Sequence, residues 1–391
     1  MADIVLSKGS NFLFRKIGYS VGLEDPVTRI KKIAELYAER QGITPTDWAH
    51  FIDELGFKKS PQKMSGHLLN FYQSLGIIEH ISGKQIIPKM PLDALGIFFR
   101  KYSDEELRNK AARAVFLRAL LLNDSDIFLP LLTVGFDGER IPTAIDFHVK
   151  EKRKFIHAHY PNRAFQQRIN SIIIIEKQLT NTGSSEKKIK GPFAGRVAKK
   201  ENLDDAVDLT SDWLKKVPAR RRIWAEDLGL FANKQLTLDG TKLIDKVSQL
   251  YGDESPQFLS IFPTKFELSS AHLTTQLPPT LALEISDFDN LIHAVQTNET
   301  TTSPSDLLSK EYVEECFKRY KSVDKRKGSL IRDLPFNLLS LLWLLDAIAS
   351  NVAFPTEKAL REALVEDGQI LIRSSRQSKF AIQPPKREKK A

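Results

Sequence analysis

The sequence predicts a mainly α fold with small β-wings, on three observations. A helical pattern runs to a glycine three times, and each time a short hairpin pattern follows. These are Leu69–Gly76 into Ile77–Pro88, Arg220–Gly229 into Leu230–Gly240, and Glu357–Gly368 into Gln369–Ile382. Gly76, Gly229 and Gly368 stand where a helix takes its left-handed C-terminal cap, a position that favours glycine because it has no Cβ. The residues after them alternate or cluster as β-formers around a polar turn. Helix, glycine and hairpin make the C-terminal half of a winged helix, a helix-turn-helix with a β-wing whose second helix enters a DNA major groove. The recurrence predicts tandem winged-helix domains.

The elements follow in order. Asp25-Pro26 opens a first helix, with proline where its missing N–H is not needed. Val27, Ile30, Ile33, Ala34 and Tyr37 recur along it at helical spacing, and Gly42 ends it. Thr44-Pro45-Thr46-Asp47 starts a second helix, with Thr44 or Thr46 as cap and Trp48, Phe51, Ile52 and Leu55 facing inward. Ser60-Pro61 starts a third helix, with Met64, Leu68, Phe71, Tyr72 and Leu75 inward. In that frame Lys58, Lys59, Gln62, Lys63 and His67 occupy the start and outer face of the recognition helix.

Asp104 begins a helix with Leu107, Ala111, Ala114, Val115, Arg118 and Leu122 at helical offsets. The apolar run Ile127–Gly135 reads as a short helix split by Pro130. Pro161–Leu179 reads as a helix with Arg163, Gln167 and Asn170 on its polar side, although Ile172–Ile175 fits a buried strand equally well. Asn181–Asn202, rich in Gly, Ser and Lys, reads as a mobile basic loop or linker. Leu203–Leu228 returns to helix, broken near Pro218, and delivers the second hairpin. Residues 253–305 hold prolines and few basic side chains. Lys310–Lys327 is a charged helix, and Leu334–Ala349 a buried one too short to span a membrane. The predicted organisation is an N-terminal winged helix over 1–100 and a second winged-helix region with a basic insertion over 101–252. An acidic mixed connector over 253–305 and a C-terminal winged-helix-like domain with a basic tail over 306–391 complete it.

The chain has 391 residues and a formal net charge of +9. Residues 150–222 carry 18 basic and 8 acidic side chains, a net of +10, whereas residues 251–310 carry a net of −6. A concentrated basic stretch is the electrostatic footprint of a phosphate-backbone partner. Within it Lys152, Arg153, Lys154, Arg163, Gln167, Lys215 and Lys216 are candidate DNA contacts. Arg220, Arg221 and Arg222 together suggest a phosphate clamp beside the second wing, since guanidiniums contact phosphates in pairs of hydrogen bonds. Trp48, Trp213, Trp224 and Trp343 sit at apolar helical positions and are expected in the core. The lone cysteine, Cys316, excludes an intrachain disulfide and a cysteine-rich zinc site, and the N-terminus lacks a signal-peptide pattern. Both fit a cytoplasmic protein.

Catalytic signatures are sparse. The sequence holds no GxxxxGK[ST] phosphate loop, GxGxxG fingerprint, GxSxG elbow or HExxH helix. The Glu-x-Lys pairs Glu186/Lys188 and Glu388/Lys390 lack the strands that a metal-dependent nuclease core needs. His157-Ala158-His159-Tyr160 resembles the histidine pair and tyrosine of single-strand nicking enzymes. Its flanks, however, are basic surface, and an exposed or phosphate-contacting role for His148, His157 and His159 is favoured. No catalytic residue, metal site or cofactor is therefore expected.

Trp213-Leu214, Leu228-Gly229-Leu230 and Leu236-Thr237-Leu238-Asp239-Gly240 together resemble winged-helix repeats in the DNA-recognition region of type IIS restriction endonucleases. In those repeats a helix ending in Leu-Gly-apolar precedes a wing that closes on a threonine and a glycine. Leu75-Gly76-Ile77 with Ile86-Ile87-Pro88 repeats the pattern, so the resemblance spans residues 26–100 and 104–250. No cleavage domain accompanies it. The resemblance implies a non-enzymatic double-stranded DNA-binding protein, such as the recognition subunit of a multi-component restriction or anti-phage system, with protein partners supplying catalysis. Two alternatives stand beside it: a winged-helix assembly subunit of a chromosome- or plasmid-organising complex, and a replication initiator or nicking enzyme.

Overall fold

The computed structural model describes residues 25–39, 43–54, 68–69, 71–73, 75–80, 86–88, 90–141, 211–251, 285–297, 310–324, 334–354, 362, 364, 371–372 and 381–382. These residues are mainly helical, with short two- and three-stranded sheets. They fall into two compact units. One lies within Leu120–Leu283, and the other within Gly22–Ala119 and Glu284–Ala391. Residues 22–119 and 284–391, which the sequence divides into separate domains, thus share one unit.

In that shared unit, α1 (Pro26–Glu39) starts at proline and buries the five residues its periodicity picks out, Val27, Ile30, Ile33, Ala34 and Tyr37. Ile43 then makes an isolated antiparallel bridge to Ile86. α2 (Pro45–Glu54) follows, capped by Thr44. The Asp47 N–H donates to Thr44 Oγ1 at 3.1 Å, and the Thr44 N–H donates to Asp47 Oδ2 at 3.0 Å, a reciprocal capping box. Leu68, Leu69, Phe71 and Tyr72 are helical and buried. Gly76, at φ 68, ends this helical stretch. Its N–H donates to the Gln73 carbonyl, and the Ile77 N–H to the Tyr72 carbonyl, closing a Schellman cap. The hairpin of β1 (Ile78–His80) and β2 (Ile86–Pro88) comes next, with Glu79 opposite Ile87. The Tyr37 hydroxyl donates to the Ile86 carbonyl at 2.7 Å, fixing α1 to the hairpin.

α3 (Met90–Lys101) has no counterpart in the sequence reading. Every residue from Leu92 to Phe99 is buried. It packs on α1, and from the other end of the chain on α9 (Lys310–Asp324) and α10 (Phe336–Ser350). α4 (Glu105–Asn123) is capped at Asp104 and carries buried Arg118, whose Nε lies 2.6 Å from Asp289 on α8 (Ile285–Gln296). α8 falls in the stretch read from sequence as an acidic connector.

The far end of the chain repeats the first arrangement. α9 is followed by β5 (Leu334–Pro335), α10, the helical residues Glu362 and Leu364, and the strands β6 (Leu371–Ile372) and β7 (Ala381–Ile382). The strand order is β5-β7-β6, all antiparallel. In both places the β segment ahead of the second helix pairs with the last strand of the hairpin. Gly368, the third expected cap, lies outside the described residues.

A polar cluster centred on buried Asp346 lies where α3, α9 and α10 meet. Asp346 is 1% exposed and accepts the Tyr312 hydroxyl at 2.5 Å. Arg319 and Lys101 approach it at 3.5 and 3.7 Å. Burial pushes the Cys316 thiol up to about 12, and burial with Cys316 and Asp346 pushes the Tyr312 phenol well up too. Both stay protonated at neutral pH, so neither is an activated nucleophile.

The other unit contains α5 (Ser125–Thr133), α6 (Ser211–Asp227), a hairpin and α7 (Leu238–Tyr251). Neither proline break occurs: α5 runs through Pro130 and α6 through Pro218. Each proline follows enough of a helical turn, and enough buried apolar surface, for packing to outweigh one lost hydrogen bond. No helix among the described residues is long and apolar enough to cross a membrane.

His293 on α8 supplies a pH test of the shared unit. Its Nε2–H donates to the Val352 carbonyl at 2.7 Å, and burial holds the imidazole below its ordinary 6.5 despite that bond. The folded state therefore binds fewer protons than the unfolded chain. Stability is fully present above 6.5 and declines as the pH falls through that value toward the lowered folded one. Thermal melts from pH about 7.5 to about 5 should show this decline, and His293→Gln should flatten part of it.

Candidate nucleic-acid interface

The described part of the expected interface is α6 and the hairpin after it. Val217, Trp224 and Ala225 are buried along α6, as is Leu228 just past its end, and they hold the helix in its unit. Gly229, at φ 74, ends the helix as Gly76 ends its own. Its N–H donates to the Glu226 carbonyl and the Leu230 N–H to the Ala225 carbonyl. The hairpin of β3 (Phe231–Ala232) and β4 (Gln235–Leu236) turns through Asn233 and Lys234, both at positive φ, the geometry of a type I′ turn. Lys234 is exposed at the tip.

Thr237 locks the base of this hairpin. Its hydroxyl donates to the Gly229 carbonyl at 2.6 Å, and its N–H donates to the Leu230 carbonyl at 3.1 Å. The same hydroxyl receives the Gly240 N–H at 3.2 Å, which caps α7. A Cβ at Gly240 would overlap the Leu230 carbonyl oxygen, so only glycine fits there. The Leu-Gly-apolar and Thr-x-x-Gly elements of the sequence pattern are thus two halves of one hydrogen-bonded closure. Phe231 also meets Phe136 edge to face, with ring centroids 5.2 Å apart.

The arginine run divides in two. Arg222 is exposed and stands 3.6 Å from Glu226 one turn on, and Arg220 is half-buried. Arg221 is fully buried and is not a phosphate contact. Its Nε and one terminal nitrogen grip the Asp124 carboxylate at 2.9 and 2.8 Å, and its guanidinium lies 4.9 Å from the Trp224 ring centroid. The reason is its place on the helix. Val217, Arg221, Trp224 and Leu228 recur at four- and three-residue intervals and share the inward stripe, whereas Arg220 and Arg222 project to either side. Asp124 sits at the corner between α4 and α5, so the pair pins α6 to that corner.

Lys215 and Lys216 belong to α6, but their side chains lie outside the described residues. So do Lys58, Lys59, Gln62, Lys63 and His67, and likewise Lys152, Arg153, Lys154, Arg163 and Gln167. His157, His159 and Tyr160 lie outside them as well. Among the described residues, no group of three or more His, Cys, Asp or Glu side chains is placed to hold a metal ion. The sequence reading missed Lys234, whose signal was the Asn-Lys turn between two short β-forming pairs. Comparison with protein-family models, curated proteins and solved structures finds no match to this chain.

The Arg221–Asp124 pair has a measurable signature. Removing either partner strands the other's charge in a dry site, which typically costs about 3–5 kcal/mol. Arg221→Met and Asp124→Leu should each lower the melting temperature sharply. The double variant should be much more stable than the sum of the two losses implies. Additive losses would show that the two side chains do not interact.

Proposed function

We propose that this chain is a non-enzymatic double-stranded DNA-binding protein built on tandem winged helices. The observation that carries this is the strand order in the unit formed from the two ends of the chain. Twice a helix, a short β segment, a second helix, helical residues and a hairpin follow one another. Twice the first β segment joins the last strand, through Ile43 with Ile86 and through β5 with β7. A winged helix uses this closure to hold its recognition helix beside its wing. The α6 hairpin supports a further copy through its matching glycine cap and its Thr237 closure.

In this frame base readout falls to recognition positions such as Lys58, Lys59, Gln62, Lys63 and His67. Phosphate contacts fall to the basic stretch, with Arg220 and Arg222 at its end and Arg221 withdrawn into the core. The resemblance to type IIS recognition regions favours the recognition subunit of a multi-component restriction or anti-phage system, with catalysis supplied by protein partners.

Binding of duplex DNA should be strongly salt-dependent. With six or so phosphates engaged, affinity falls on the order of a thousandfold between about 50 and 200 mM salt, which anisotropy titrations would measure. A Lys59→Glu, Lys63→Glu variant should bind more weakly with its melting temperature nearly unchanged, as expected of side chains read as facing DNA rather than the core. Absence of binding even at low salt would overturn the proposal in favour of an assembly subunit.

The same preparation should leave supercoiled, linear and single-stranded DNA intact in magnesium or manganese. A catalytic site needs a base or metal held against its substrate by rigid neighbours, and the sequence clusters only His157, His159 and Tyr160. Nicking that forms a covalent protein–DNA adduct, and that disappears in Tyr160→Phe, would replace this proposal with a nicking enzyme.

A further inference from the structure

Five non-glycine residues among those described stand at positive φ: Asp25, Phe136, Asn233, Lys234 and Asn351. A Cβ strains that conformation, and asparagine and aspartate offset the strain through their short polar side chains. Phe136 and Lys234 are left. Phe136 has a packing role, edge to face against Phe231. Lys234, at φ 64, has none. It is exposed at the tip of the β3-β4 hairpin and makes no hydrogen bond, ion pair or ring contact among the described residues. Its place, the second central residue of a type I′ turn, ordinarily falls to glycine, which meets that geometry with less strain.

The surroundings leave the ammonium available to a partner. Lys234 is the sole charged residue between Asp227 and Asp239. Its neighbours Ala232, Asn233 and Gln235 are exposed as well. The hairpin beneath it is fixed. Thr237 ties its base to the Gly229 and Leu230 carbonyls, and Phe231 is buried. The tip is therefore carried at a set position, which spares a contact the entropy cost of ordering a loop. In sequence the pattern recurs, since Gly83-Lys84-Gln85-Ile86 corresponds to Asn233-Lys234-Gln235-Leu236.

Resting on the DNA-binding reading above, we propose that the β3-β4 hairpin sets its tip against the sugar-phosphate backbone of the duplex, with the Lys234 ammonium contacting a phosphate. A lysine is a compact charge on a flexible stem, suited to a phosphate, and such a contact carries no base information. The strain of the turn is retained because it presents that charge at the tip.

Anisotropy titrations of the full-length chain on two duplexes of unrelated sequence, at about 50, 100 and 200 mM salt, test this together with thermal melts. Lys234→Gly should melt at the same temperature as the parent or higher, because the turn is relieved. It should nevertheless bind about tenfold more weakly near 100 mM salt, equally on both duplexes. The slope of log affinity against log salt should be shallower by about 0.9, the share of one phosphate. Lys234→Gln should lose as much, and Lys234→Arg, which keeps the charge, should stay within about threefold of the parent. A Lys234→Gly variant that binds within about twofold of the parent, with its slope unchanged, overturns the inference and leaves the DNA-binding proposal standing. Loss on one duplex alone also overturns it, since that marks a base contact. A lower melting temperature does so too, because it gives the lysine a folding role. Failure of the parent to bind either duplex at low salt overturns both.

Discussion

The burial of α3 on every side is the constraint on which the larger part of the structure depends. A helix with one apolar stripe needs one partner, but a helix whose residues 92–99 are all buried needs apolar surface all round. α1 supplies one side. A Cβ at Gly96 would stand 4.0 Å from the Ala34 carbonyl oxygen, an ordinary van der Waals contact, so α1 lies directly against this part of α3. α9 and α10 supply the rest, from more than 200 residues away in sequence. The exposed carbonyls at the end of α3 are met by Arg108, which donates to the Phe99 and Tyr102 carbonyls at 2.8 Å each. Burying Leu92, Leu95, Ile97, Phe98 and Phe99 contributes on the order of 10 kcal/mol. That is a gross gain, from which the entropy of ordering these residues is subtracted, and it is made only where 22–119 meets 284–391.

Legibility in the sequence tracked periodicity. α1 and α2 were readable because their apolar residues fall on one stripe and their starts carry proline and threonine caps. The core residues expected there are the core residues found wherever the structure describes them. α3 was opaque because its breakers outweighed its pattern. In MPLDALGIFFRK only Asp93 and Arg100, seven residues apart, mark a polar side ahead of the final Lys101, and its proline and glycine read as breakers. Pro91 falls in the first turn, where no N–H is needed, and Gly96 lies buried within the helix without breaking it. α8 was hidden by its charge. Asp289 made the segment look like an acidic connector, yet Asp289 is 1% exposed because Arg118 neutralises it.

The same lesson governs the candidate interface. Arg118 and Arg221 both occupy inward positions of otherwise apolar stripes, and both are buried against an aspartate. Helical spacing could have distinguished Arg221 from its neighbours, since Trp224 and Leu228 lie three and seven residues beyond it. Read as a run, the three arginines suggest one surface. Read by period, they are one anchor flanked by two exposed or half-exposed side chains. Buried pairs of this kind contribute little net stability over an apolar replacement, but they exclude arrangements that would leave either charge unpaired. Asp124 and Arg221 thereby fix the seat of α6, and the glycine cap and Thr237 fix the hairpin that follows it.

Charge and topology therefore contribute different parts of the functional reading. A basic stretch attracts any polyanion, and withdrawing Arg221 into the core removes one charge from it without changing that. Phosphate attraction supplies affinity and an encounter rate, but carries no information about where on a duplex the protein rests. Register requires a helix and a wing in a defined relation. In this chain glycine caps at Gly76 and Gly229 each precede a hairpin, and Ile43 and β5 each pair with the last strand of theirs. The same ties account for the division of roles along α6. Residues that orient the helix turn inward, and the cations left outside are then carried at fixed positions relative to the hairpin. Charge that is merely concentrated becomes charge that is placed.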